Sequence, residues 1–370
     1  MDLLPALDPI PLPAPVWLFK LLHTVTLALH FGAVHLLVGG LFFATLWSFL
    51  GQRGNNAAMV DASRVTGYRL PVVMAFVVNL GIPPLLFAQV LYGRALYTSS
   101  VLIGVYWLSV VFLVMFAYYL LYMIAKRAES SRAFAWVGLF AIIAVLKVGY
   151  IYSANMTLML APESWAAMYR ENPLGSVLAT GPAALPRWAY MMIGSLGVSG
   201  IGFLLLGIHS KVSPETGSFL TRQGGRFLAL FTIVQAIMGF VVYSAQSDAV
   251  RAGLSGSPYY LTLTAIWALT AVLLIVVGLL AARASATPRW PLAAGAGALS
   301  LVNILAMAGF RDGIRDITLT LKGYDVWSRE VNTNWLTVGL FLLLFVAAGV
   351  AIGWLTRVVF LAKGESASYG

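Results

Sequence analysis

A chain of 370 residues that is 60% hydrophobic, only 10% charged and of mean hydropathy +0.88 is excluded from the water-soluble globular proteins, which devote about a quarter of their residues to charge. Its formal net charge of +10 does not point to nucleic acid; in so apolar a chain, basic residues belong at the cytoplasmic edges of membrane spans. Cysteine is absent, so disulfides, iron–sulfur clusters and thiolate metal sites are excluded as well.

The first residues, MDLLPALDPIPLPAPVW, have neither a basic start nor a small-residue cleavage site, so the first span is expected to act as its own insertion signal. Nine apolar runs follow: 16–50, 70–92, 100–125, 132–160, 185–209, 222–247, 258–283, 289–309 and 334–360. Each reaches the roughly 20 residues that a helix needs to cross hydrocarbon. The expected fold is all-α, a polytopic membrane bundle of about nine transmembrane helices forming a single domain over residues 1–370. The first run exceeds the bilayer thickness and should tilt or extend into water. Pro83–Pro84 removes two backbone donors from the second and should kink or break it.

Orientation follows from the basic residues. Arg53, Arg64 and Arg69 follow span one, and Lys126, Arg127 and Arg132 follow span three. Lys211, Arg222 and Arg226 follow span five, Arg283 and Arg289 follow span seven, and Arg357 and Lys363 close the chain. The opposite loops are poorer, with Arg94 alone in one and Arg251 alone in another, and the basic residues of 310–333 are balanced by acids. An outside N-terminus and a cytoplasmic C-terminus are expected, with loops 161–184 and 310–333 outside.

Three of the four histidines sit in 23-HTVTLALHFGAVH-35. His23 and His30 are seven apart and share a helix face, about 10 Å apart along the axis, while His35 is turned roughly 140° from His30. Two imidazoles on one helix cannot clasp one iron from opposite sides. A six-coordinate haem would need a second ligand from another helix, and a five-coordinate haem would need one histidine alone. The competing reading is that these side chains hydrogen-bond between helices. His209 reads as a solvated helix end.

All thirteen acidic residues are read in loops, tails or helix ends, among them Asp2, Asp8, Asp312, Asp316 and Glu365. A proton-coupled pump, which usually relies on buried carboxylates, is not expected. Lys147, in LKVGYIY, falls deep in span four. It either snorkels to an interface or meets an anionic or carbonyl group of a cofactor. In 310-FRDGIRDITL-319 arginines and aspartates each recur at i, i+4. This reads as a solvated, self-neutralising face; functionally, Arg311 and Arg315 could hold haem propionates or dock an external partner.

Taken together, 25-VTLALHFGAVHLLVGG-40, 81-GIPPLLFAQVLYG-93, 153-SANMTLMLAPESWAAMYRENPLG-175 and 185-LPRWAYMMIGSLGVSGIGFLLLG-207 resemble subunit I of the cytochrome bd quinol oxidases. The likeness covers residues 16–250, leaving 251–370 for three further helices and the external loop. It implies nine helices and places His30 at a haem-ligand position. The resemblance is incomplete. Tyr190 and Met191 stand where that family has its helix-five haem histidine, leaving Met191 or Met192 as replacements. Span three has no glutamate, and the family's long quinol loop shrinks to about 247–258, so oxygen reduction is not expected.

The reading that results is an integral subunit of a respiratory electron-transfer complex in the bacterial inner membrane. It would exchange electrons between quinone or quinol and a periplasmic c-type cytochrome or iron–sulfur protein, through one or two b haems. Candidate cofactor residues are His30, His23, His35, Met191, Lys147, Arg311 and Arg315, with His30 and then His23 on iron; Gln89, Tyr92 and Lys147 are the quinone candidates. A redox-inactive anchor and a solute transporter or channel remain the alternatives.

Overall fold

Runs of branched and aromatic apolar residues leave the backbone no solvent partner inside hydrocarbon, so each span closes its own hydrogen bonds as a helix. In the computed structural model, which describes residues 10–130, 132–181, 183–209, 212–284 and 290–361, nearly everything is helical. Asp2, Asp8, Lys211, Arg289, Lys363 and Glu365 lie outside the described residues. The order is α1 (Val16–Arg53), α2 (Ala57–Gly67), α3 (Leu70–Leu102), α4 (Gly104–Glu129), α5 (Ala135–Leu158) and α6 (Pro162–Glu171). Then come α7 (Ala184–Gly207), α8 (Pro214–Ser244), α9 (Asp248–Ser255), α10 (Pro258–Ala282), α11 (Trp290–Thr320) and α12 (Trp335–Leu361). Among the described residues, nine stretches are long and apolar enough to cross a membrane.

Local signals set the helix starts. Asn56 caps α2 by accepting from Met59 N at 3.0 Å, and Ser213 caps α8 by accepting from Thr216 N at 3.3 Å. Proline opens α6, α8 and α10, where its missing donor costs nothing.

Two expectations are corrected. The helix of α3 runs on through Pro83 and Pro84, and its non-helical backbone lies instead at Tyr92 (φ −128°, ψ 23°). Membrane helices tolerate proline where neighbours satisfy the freed groups, and beside the Tyr92 interruption the Leu91 carbonyl accepts the Tyr324 hydroxyl at 2.5 Å. The eighth span does not end at 309: α11 continues to Thr320, so 310–320 is helix rather than loop.

α1 is the central element, packed against α2, α3, α5, α7 and α11. Close approach elsewhere depends on absent side chains. A Cβ on Gly200 would strike the Gly224 carbonyl, and one on Gly225 would strike the backbone of α10 at Gly278 and Ala282, so α7, α8 and α10 pack backbone to backbone. At the rim, α12 touches the bundle through Val338, Leu342 and Phe345, which meet Ala14, Leu18, Leu22 and Phe87. Ahead of it the chain is clasped to the N-terminal segment: Leu12 N donates to Glu330 O and Asn332 N donates to Leu12 O, both at 2.9 Å.

Beyond the spans, Lys322 tethers the end of α11 to α6, donating to both oxygens of Glu163 at 2.8 and 2.7 Å and to Leu160 O at 2.7 Å. Partial burial would raise the Glu163 carboxyl, but the Lys322 hydrogen bond and charge hold it below its ordinary value. A lowered carboxyl contributes stability that is complete above the unfolded-state pKa and is lost as pH falls through the folded one. With Glu163 55% exposed, solvent screening keeps the effect within about 1 kcal/mol. Lys322→Ala should therefore lower the melting temperature slightly at pH 7, and by less as pH falls through the folded Glu163 pKa, where only the Leu160 hydrogen bond remains to be lost.

Candidate functional site

The long helices do not close fully on one another. A cavity of about 720 Å³ lies between α1, α3, α4 and α5 on one side and α7, α8, α10 and α11 on the other, a size ordinary for cofactor sites. Its walls are mostly aliphatic and aromatic, and glycines at 81, 149 and 239 widen it. The polar groups on the wall are few: His23, His30, Tyr152, Ser153, Arg187, Tyr190, Arg311 and Arg315 prominent among them.

His30 projects from α1 toward α3. Its Nδ1 lies 3.1 Å from Val77 O. A ring nitrogen facing a carbonyl is satisfied only as N–H, which leaves the lone pair on Nε2, the arrangement seen when a histidine binds metal through one nitrogen and is oriented through the other. Gly81 makes room for the ring: a Cβ there would lie 2.9 Å from His30 Cε1.

His23 is engaged at both nitrogens, with Nδ1 3.0 Å from Pro84 O and Nε2 3.1 Å from Arg315 Nη1. The guanidinium can only donate, so Nε2 accepts and has no lone pair to spare. His35 is fully buried and stacked on Phe31, and among the described residues neither of its ring nitrogens has a hydrogen-bond partner; it does not line the cavity. His209 follows the end of α7 and is likewise off the cavity wall.

Above His23, at the N-terminal end of α1, lies a buried ionic cluster. Lys20 Nζ donates to Asp312 Oδ2 at 2.9 Å, to Asp316 and to the Tyr92 hydroxyl. The Tyr92 oxygen lies 2.9 Å from Asp312 Oδ1 and 2.7 Å from Asp316 Oδ1. Arg315 Nη1 donates to Asp312 Oδ1 at 3.4 Å and the Arg315 guanidinium carbon rests over the Tyr92 ring at 4.7 Å, and Trp327 Nε1 donates to Asp316 Oδ2 at 3.3 Å. This corrects the reading of Asp312 and Asp316 as exposed loop acids and of 310–319 as a solvated face. At i, i+4 on α11 the two carboxylates share one side of the helix, and that side faces α1 and α3.

The other candidates separate. Met191, Met192 and Tyr190 line the cavity from α7. Lys147 lies midway along α5 on its outer, exposed side and off the cavity wall. Gln89 is half-buried on α3 and off the cavity wall, and Tyr92 is fully enclosed in the ionic cluster. Gln89, Tyr92 and Lys147 therefore form no common pocket. Sequence reasoning missed Lys20 and Arg187. Lys20 was signalled by its place inside the first apolar run, and Arg187 by a lone charge at the start of span five.

No protein-family model and no curated protein sequence matches the chain. Among solved structures, a chain of the bd oxidase from Geobacillus thermodenitrificans superposes with a TM-score of 0.65 over 95% of this chain and 98% of that one, at 13% sequence identity. The bundle has the bd oxidase fold. At this identity the bd oxidase likeness is one of helix arrangement, and the site must be read from its own residues.

Proposed function

We propose that the chain is the membrane subunit of a respiratory electron-transfer complex and that its cavity holds a b-type haem on His30. The supporting observation is the His30 imidazole itself, oriented by Val77 O with a free Nε2 on the wall of a 720 Å³ apolar cavity. The residues present fit such a group: a single nitrogen donor, apolar walls and arginines at one end. Haem, when bound, supplies one-electron chemistry, and the protein supplies the ligand, the orientation and the insulation. With His23 engaged by Pro84 and Arg315, His30 is the proposed iron ligand on α1. A second ligand, where one is used, would come from Met191 or Met192 on the facing wall of α7.

Exchange with quinone is proposed to take place where the cavity meets the side of the bundle. Ile82, Phe240 and Leu261 line the cavity and are also well exposed. The end bearing the ionic cluster is proposed to face the periplasm and a c-type cytochrome or iron–sulfur partner, because Arg53, Arg64, Arg69, Lys126, Arg127, Arg222, Arg226 and Arg283 gather at the other end.

A reduced-minus-oxidised spectrum of the purified protein tests the reading: Soret and alpha bands that appear on adding a quinol support it, and a featureless trace leaves an anchor or a solute channel. Gly81→Ala should press on the His30 ring, loosen it from Val77 O and lower haem content per protein by roughly half or more, since the ring is displaced by contact with the new methyl.

A further inference from the structure

The charges around the cavity do not balance, and the imbalance identifies an occupant. Lys20 and Arg315 are matched by Asp312 and Asp316 within one bonded cluster, and His23, donating through one nitrogen and accepting through the other, adds no charge. Arg187 and Arg311 also line the cavity. Among the described residues, no hydrogen bond or ion pair joins either of them to a carboxylate. Arg311 rests over the Phe31 ring at 5.2 Å, and its Nε is enclosed without any acceptor. Four cations against two carboxylates leave two guanidinium charges on one end of an apolar chamber. An uncompensated buried charge is among the most costly features a fold can hold, and guanidinium groups pair best with planar, two-oxygen anions.

We propose that the cavity is built for an occupant with two carboxylate arms on an apolar body, and that Arg187 and Arg311 receive those arms. Arg315, already held by Asp312, Tyr92 and His23, closes the end of the chamber behind them. The inference rests on the reading of the cavity as a cofactor site and not on iron at His30. Neutral ligands of the same shape would leave both guanidiniums unpaired and are rejected by charge.

The test uses protein produced without a haem supply and placed in phosphatidylcholine nanodiscs. Metal-free protoporphyrin IX, a diacid, and its dimethyl ester, a neutral molecule with the same ring, are titrated and followed by porphyrin fluorescence. The diacid should bind at least about tenfold more tightly than the ester, the worth of a charge-assisted hydrogen bond. Arg187→Met and Arg311→Met should each reduce that preference to about threefold or less while leaving ester binding unchanged. Unloaded Arg187→Met protein should melt at the same or a higher temperature, because it has lost an unpaired cation; a merely structural arginine would lower it. His30→Ala should keep the diacid preference, which separates this inference from the iron reading. Equal binding of diacid and ester, binding of neither, or a preference unaltered by both substitutions would overturn it. So would loss of the preference when phosphatidic acid is added to the nanodisc, which would assign the site to a lipid phosphate.

Discussion

Asp316→Ala is expected to destabilise the bundle by about 3–5 kcal/mol, the usual consequence of removing one partner from a buried ion pair. Asp316 accepts from Lys20, Tyr92 and Trp327 at once. Without it the Lys20 ammonium keeps one carboxylate, Asp312, which Arg315 also uses, and the neutral Tyr92 hydroxyl. Unfolding in mixed micelles, followed by far-UV circular dichroism, gives the measurement. Replacing both ends, Lys20→Met with Asp316→Leu, should recover most of the loss, because apolar side chains of similar volume often substitute for a buried pair without penalty. A loss below about 1 kcal/mol for Asp316→Ala would mean that water reaches the cluster freely and that the pair is not what joins α11 to α1.

The second large effect concerns the histidines. On the proposed reading, His30→Ala removes the haem absorbance, since it deletes the one imidazole on α1 with a free nitrogen facing the cavity. His23→Ala is expected to keep the absorbance but to lower stability by about 1–3 kcal/mol, because the Pro84 carbonyl and the Arg315 guanidinium both lose a buried partner. The contrast distinguishes iron ligation from general damage. Full retention of the spectrum in His30→Ala, or its equal loss in both variants, would refute the assignment.

The helices were legible in the sequence because length and continuous apolarity decide a membrane span by themselves, and the ends of α4, α5 and α7 fall within a few residues of expectation. The lower end of α11 was not. Its 310–320 segment carries two arginines and two aspartates, and a helix of that composition looks the same on paper whether solvent or protein surrounds it. What decides is Lys20, almost 300 residues earlier, and pairing at such a distance leaves no local trace. Pro83–Pro84 misled for the opposite reason: the local rule is sound for water-soluble helices, but membrane helices tolerate proline, and the non-helical backbone of α3 falls at Tyr92. The place of His30 on the same face of α1 as His23 was readable from spacing, whereas the engagement of His23 depended on Pro84 and Arg315, contributed by two other helices.

The Lys20–Asp316 pairing also sets an order for biogenesis. The first span leaves the ribosome with an ammonium that has no carboxylate partner until α11 has been synthesised, so the nascent chain must shelter that charge through six intervening membrane crossings. α11 carries its acids and arginines together at one end, after the uncharged stretch 290–309. Their pairing is expected to be a late step of assembly, one that locks the first helix to the eleventh. A chain halted before residue 312 would present an orphan cation, the kind of defect by which membrane quality control recognises an unfinished protein.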